Sequence, residues 1–140
     1  MHPDLVLAVD PGRARWGLAL VSADGFCIVR CVVSAADGPA AVARMLDEHR
    51  PAVVALGDRT GARDACRALA ERGITCPIAM VPEGGSSMEA RQLYFRLNPP
   101  RGIRRLIPRG LLLPPEPIDG YAAQIIALRY IRSSAARTED

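Results

Sequence analysis

LVLAVDPGRARWGLALV, residues 5–21, is the stretch that decides the fold. Residues 5–9 are apolar without a break and stop at Asp10-Pro11-Gly12. A short apolar run that ends in turn formers reads as a buried strand followed by a turn. Residues 16–21 resume the apolar pattern as a second strand. Ser22-Ala23-Asp24-Gly25 is a hairpin signal, and residues 26–33 return as a third strand. The chain thus opens with three strands in a meander.

Downstream the period changes. Val42, Met45 and Leu46 follow helical spacing within residues 40–49, and Arg50-Pro51 closes that helix. Residues 53–56 are apolar throughout, as a central parallel strand would be. Residues 62–72 read as a second helix, with Gly73 as its stop. Residues 78–81 form a fifth strand. Ser86-Ser87-Met88-Glu89 matches a capping box and starts a third helix that reaches about residue 96. Residues 98–117 are rich in Pro and Arg and carry little periodicity. A last helix spans residues 118–131. The order β-β-β-α-β-α-β-α-loop-α predicts an α/β protein of ribonuclease H-like layout. Its five-stranded mixed sheet, three antiparallel strands followed by βαβ units, is flanked by helices. One domain is expected over residues 1–132, loop 98–117 included, with 133–140 as a flexible tail.

The 140 residues suit one domain, and 49% hydrophobic content is enough for a core. The net charge of +3 does not by itself announce a nucleic-acid binder. All 18 basic residues are Arg, the side chain best shaped for bidentate phosphate contacts; a genome rich in G and C is the plainer explanation. The N-terminus has neither the basic segment nor the long apolar run of a signal peptide, and no stretch is apolar enough to span a bilayer. Cys27, Cys31, Cys66 and Cys76 form no CxxC pair and read as buried thiols. A cytoplasmic protein without membrane contact is the expectation.

Three acids stand where such a fold can use them. Asp10 ends the first strand, Glu83 follows the fifth, and Asp119 opens the last helix. Open α/β sheets place ligand sites beyond the carboxyl ends of their parallel strands. Carboxylates converging there repel one another unless a cation lies between them. Mg²⁺ or Mn²⁺ suits an all-oxygen site and accepts substrate phosphate as a further ligand. Two such ions can activate a water and stabilise the leaving oxygen of a phosphodiester. Each acid has a plainer reading: Asp10 as a turn former, Glu83 as an exposed loop acid, Asp119 as a helix cap or first-turn acid. The functional reading rests on the three together. Asp58, after the fourth strand, is a further acid at a strand end, or simply a polar turn residue.

Asp10 to Gly17 has the form D-x-G-x-x-x-x-G, whose glycines permit a tight turn near a phosphate. With PAVVALGDRTG (51–61), VPEGGSSMEARQLYF (81–95) and PPRGIRRLIPRGLLLPPEPIDGYAAQIIALRYI (99–131), the opening stretch resembles consecutive blocks of the YqgF/RuvC-type Holliday junction resolvase-like family. That family includes proteins described as pre-16S rRNA nucleases. The resemblance spans almost the whole chain. It implies a metal-dependent nuclease with Asp10, Glu83 and Asp119 as the catalytic and metal-binding acids. The implied substrate is an RNA precursor or branched DNA. The Glu block departs from the family's Asp-Glu-Arg by reading Pro82-Glu83-Gly84, and Gly120 stands where relatives often carry a second Asp. Fewer negative charges imply weaker metal binding or slower turnover.

Arg104, Arg105 and Arg109 lie in a loop that has no acid before Glu116, and Arg13 and Arg15 follow shortly after Asp10. These five are the candidate nucleic-acid contacts. Two readings compete with the nuclease. One is a catalytically weak nucleic-acid-binding module of the same fold. The other is a nucleotide-binding fragment of kinase type, which needs two such domains where this chain has room for one. A homodimer is a further expectation, since branched substrates are often two-fold symmetric.

Overall fold

The structure is a computed structural model and describes residues 2–59 and 61–139, the side chains of residues 109, 138 and 139 excepted. Five strands form one mixed sheet: β1 (His2–Pro11), β2 (Arg15–Ser22), β3 (Cys27–Ser34), β4 (Pro51–Gly57) and β5 (Ile78–Val81), in the order β3-β2-β1-β4-β5. β1, β2 and β3 are antiparallel neighbours, while β1–β4 and β4–β5 run parallel.

The unbroken apolar run in β1 has a direct cause: both faces of the sheet are covered. Leu7 and Val9 point to one side, where α1 (Gly38–His49) and α2 (Ala62–Glu71) supply Val42, Ala65 and Leu69. Val6 and Ala8 point to the other, beneath Ala123, Ile126 and Ala127 of the last helix, α4 (Asp119–Glu139). The remaining helix, α3 (Ser86–Leu97), packs on α4 through Ala90, Leu93, Ala122 and Ile125.

Four local expectations are corrected. The capping box does not form: Gly85, at φ 78°, is the N-cap of α3, with no side-chain cap bond. Ser86 is buried, and Glu89 reaches across to Arg129 Nη2 at 3.1 Å. α4 runs on to Glu139, where the sequence reading ends the last helix at residue 131. Ala135, Ala136 and Arg137 are good helix formers, so nothing local stops the helix. Loop 98–117 contains two short 3₁₀ helices, Gly102–Leu106 and Arg109–Leu111. The four cysteines are free and half-buried, not fully buried. No helix of the described residues is long and apolar enough to cross a membrane.

Candidate active site

Strand register brings the first acid to its place. Asp10 pairs with Gly17 of β2, and the preceding Val9 pairs with Leu56 of β4. β4 then ends at Gly57, whose partner on β5 is Val81. The carboxyl ends of the three parallel strands therefore lie side by side, with Asp10 on the first and Glu83 two residues beyond the third.

Glu83 is a buried acid, only 3% exposed, and its surroundings are built for it. The Arg59 backbone N–H donates to Glu83 Oε1 at 3.2 Å. The Glu83 N–H donates to Asp58 Oδ1 at 3.2 Å, and the Asp58 N–H donates to the Val81 carbonyl at 3.0 Å. Asp58 thus ties the loop after β4 to the loop after β5. Gly57 leaves the space Glu83 occupies, since a Cβ there would sit 2.4 Å from Glu83 Oε2.

Asp119 arrives from above the sheet. The start of α4 lies directly on Gly17, where a Cβ would fall 1.8 Å from the Asp119 carbonyl oxygen. Arg15, the first residue of β2, donates from Nε to Asp119 Oδ2 at 3.2 Å. Beneath the same turn, Arg30 of β3 donates to Gln124 Oε1 at 2.8 Å and lies 4.0 Å over the Tyr121 ring. The Arg30 side chain and the Cys31 backbone fill the place of any Gly120 side chain, at 2.8 and 3.1 Å from an added Cβ. A second Asp after Asp119 has no room there.

Two of the acids act on the third. The Asp10 carboxyl is pushed up to about 7, first by burial, then by the charges of Glu83 and Asp119 and a hydrogen bond with Glu83. The charge of Arg59 opposes the rise. Among the described residues, however, no three His, Cys, Asp or Glu side chains are grouped closely enough to hold a metal ion. Of the basic candidates, Arg13 is exposed and Arg15 is taken up by Asp119. Arg104 and Arg105 are exposed and each holds one loop carbonyl, Leu113 at 3.1 Å and Gly102 at 3.3 Å. The Arg109 side chain lies outside the described residues. Sequence reading missed Arg59 and the Arg30–Gln124–Tyr121 group. Arg59 follows Asp58 at a strand end, which was a usable signal; the other three are joined only by the packing of α4 on β3.

A pH effect follows. The folded Asp10 carboxyl titrates near 7 and an unfolded one near 3.8, so the folded state holds the extra proton between these values. Stability conferred at low pH is lost as pH rises through that window. In EDTA, Asp10→Asn should flatten this dependence and raise Tm at pH 8 by about 5 °C or more, corresponding to a few kcal/mol at most. Equal Tm–pH curves for variant and parent, by calorimetry, would remove the charge conflict.

No protein-family profile matches the sequence, and no curated protein matches it. Solved structures do. Thermus thermophilus RuvC in complex with a Holliday junction substrate aligns over 92% of this chain and 96% of its own, at 19% identity and TM-score 0.54. The structure of the Thermus thermophilus protein determined separately aligns over the same shares at 19% identity and TM-score 0.52. Fowlpox virus resolvase with Holliday junction DNA aligns over 93% of this chain and 98% of its own, at 14% identity and TM-score 0.55. With its mixed five-stranded sheet and helices on both faces, this chain has the ribonuclease H-like fold that the RuvC and poxviral resolvases share.

Proposed function

We propose that the chain is a divalent-metal-dependent nuclease acting on structured nucleic acid, with Asp10, Glu83 and Asp119 as its acid set. The observation that carries this reading is electrostatic. Asp10, from the first strand, feels the charges of Glu83 and Asp119 from distant segments, and with burial these raise its carboxyl to about 7. Such an excess of negative charge, all on hard oxygen donors, fits Mg²⁺ or Mn²⁺. Held by Asp10, Glu83 and Asp119, one or two ions would supply activation of a water and neutralisation of the leaving oxygen. The protein's own groups prepare the site. Arg59 N–H and Asp58 fix Glu83, and Gly17 admits Asp119. Arg15, paired with Asp119, would compete with a cation for that carboxylate.

Branched DNA is the preferred substrate, because the proteins of like fold were solved with Holliday junctions. An RNA precursor is the other arm of the test. The experiment is cleavage of four-way junctions, single-stranded DNA and structured RNA with Mg²⁺ or Mn²⁺, with sedimentation to detect two copies on one junction. A catalytically weak binding module is the second reading, favoured by the open arrangement of the acids and the lack of room at Gly120. Tight junction binding without cleavage in either metal would select it.

The loop arginines should act through phosphate. Replacing Arg104, Arg105 and Arg109 with Ala should weaken binding across all sequences tested. It should also flatten the log–log salt dependence by roughly 0.7–0.9 per lost phosphate contact. An unchanged salt slope would mean that their loop-carbonyl contacts are their whole role.

A further inference from the structure

Between residues 103 and 113 the chain turns five large apolar side chains to solvent: Ile103, Leu106, Ile107, Leu111 and Leu113. Ile103 and Leu106 are the extreme cases, 82% and 85% exposed. Single exposed apolar residues are ordinary, but a cluster marks a contact surface.

The segment is held so that these side chains stay out. Only Leu112 turns inward, against Tyr94 and Phe95. Arg91 of α3 donates to the carbonyls of Gly110, at 2.9 Å, and Leu112. Arg104 and Arg105 bind the carbonyls of Leu113 and Gly102. Six prolines between Asn98 and Pro117 stiffen the remainder. Residues Gly102–Leu106 form a 3₁₀ turn, in which positions three apart stand one above the other. Ile103 and Leu106 therefore make one apolar ridge. The stem of the loop is tied to the first turn of α4, because Asn98 Nδ2 donates to Tyr121 Oη at 3.2 Å, two residues past Asp119 in sequence.

Charge selects the occupant. Exposed Arg101, Arg104 and Arg105 neighbour Ile103 and Leu106 in sequence, and Glu116 is the sole acid of the loop sequence. A second copy would set like charges against each other. A rigid apolar ridge among cations fits unstacked bases, with the phosphates held on either side. We propose that Ile103 and Leu106 enter between neighbouring bases of the nucleic acid bound at the acidic site and part the stack there. The preferred step is one already weakened, at a branch point or mismatch. The location rests on the nuclease reading above; the unstacking does not require cleavage.

The test uses junctions and mismatched duplexes carrying 2-aminopurine at successive positions, bound by the full chain with Asp10→Asn to keep them uncut. Fluorescence should rise about threefold or more at one or two positions, as an unstacked base requires. Ile103→Ala with Leu106→Ala should remove most of the rise and weaken binding, with Tm unchanged because both side chains are exposed. Ile103→Leu with Leu106→Ile should restore the signal. Phe26→Ala, an exposed apolar residue of the β2–β3 hairpin, should leave it intact. A bound complex with no rise, or a rise the double Ala variant retains, overturns the wedge while leaving the nuclease reading standing. A parent protein that neither binds nor cleaves any substrate overturns both. If the double variant instead abolishes a nucleic-acid-free dimer or binding to anionic phosphatidylglycerol vesicles, the ridge belongs to that partner and the proposal is wrong.

Discussion

Asp10→Asn should reduce cleavage about a thousandfold or more, with the protein still folded. The amide matches the carboxyl in size and removes one negative charge from the group of three acids. The repulsion between Asp10, Glu83 and Asp119 falls, which is why the variant should gain thermal stability while losing activity. Opposite movement of the two quantities separates a ligand-holding acid from a structural one, whose loss would lower both. Added Mg²⁺ or Mn²⁺ should raise the Tm of the parent at pH 8 and that of the variant much less, since binding to the folded state alone stabilises it. Cleavage by thoroughly purified Asp10→Asn at the parent rate would assign the activity to a contaminant or to another site. Equal metal-induced shifts in the two proteins would place the cation elsewhere.

Gly17→Ala should be the most damaging small substitution in the sheet. One added methyl would lie 1.8 Å from the Asp119 carbonyl oxygen, 2.2 Å from its carbon and 2.8 Å from the Gly120 nitrogen. All three are backbone atoms, so no rotamer change relieves the clash. The start of α4 must lift, or β2 must bend against both its neighbours. Overpacking of this kind costs about 3 kcal/mol, on the order of 10 °C in Tm for a chain of this size. Below that lowered Tm, activity should still fall about a hundredfold, because a displacement near 1 Å is enough to misplace a reacting group. Ala19, the next residue on the same face of β2, serves as the comparison: Ala19→Gly should cost stability without moving Asp119. A Gly17→Ala protein with parental Tm and parental cleavage would show that α4 does not rest on β2 at this point.

The strands and helices were legible because their periods differ and because Gly and Pro punctuate them. The run of residues 5–9 is continuous for the reason that makes it readable: helices cover both sheet faces. The placement of Asp10 and Glu83 could be read from strand ends, and that of Asp119 from a helix start. Their repulsion was expected from any convergence; what could not be read is the seat that Gly17 offers α4, which fixes where Asp119 stands. The capping box misled because Gly85 can take a positive φ, which starts α3 without a side-chain cap. The hydroxyl of Ser86 and the carboxylate of Glu89 were then free for tertiary roles. Ile103 and Leu106 were invisible as a surface feature, because an apolar residue in a sequence reads first as core. Only the anchoring of Leu112 and the hold of Arg91 show which leucines of the loop are inside.

The seat of α4 on the sheet has a consequence during protein synthesis. Val6, Ala8, Ala19 and Val21 gain their cover only from a helix that begins at Asp119. A nascent chain that has emerged as far as β5 can pair its strands and cover the opposite face with α1 and α2, yet it leaves this face bare. It also lacks the third acid. The sheet is therefore most adhesive while the candidate site is still incomplete, and both conditions end together when α4 docks. Ribosome-bound chains halted before residue 118 should associate through that naked face, and those released beyond α4 should not.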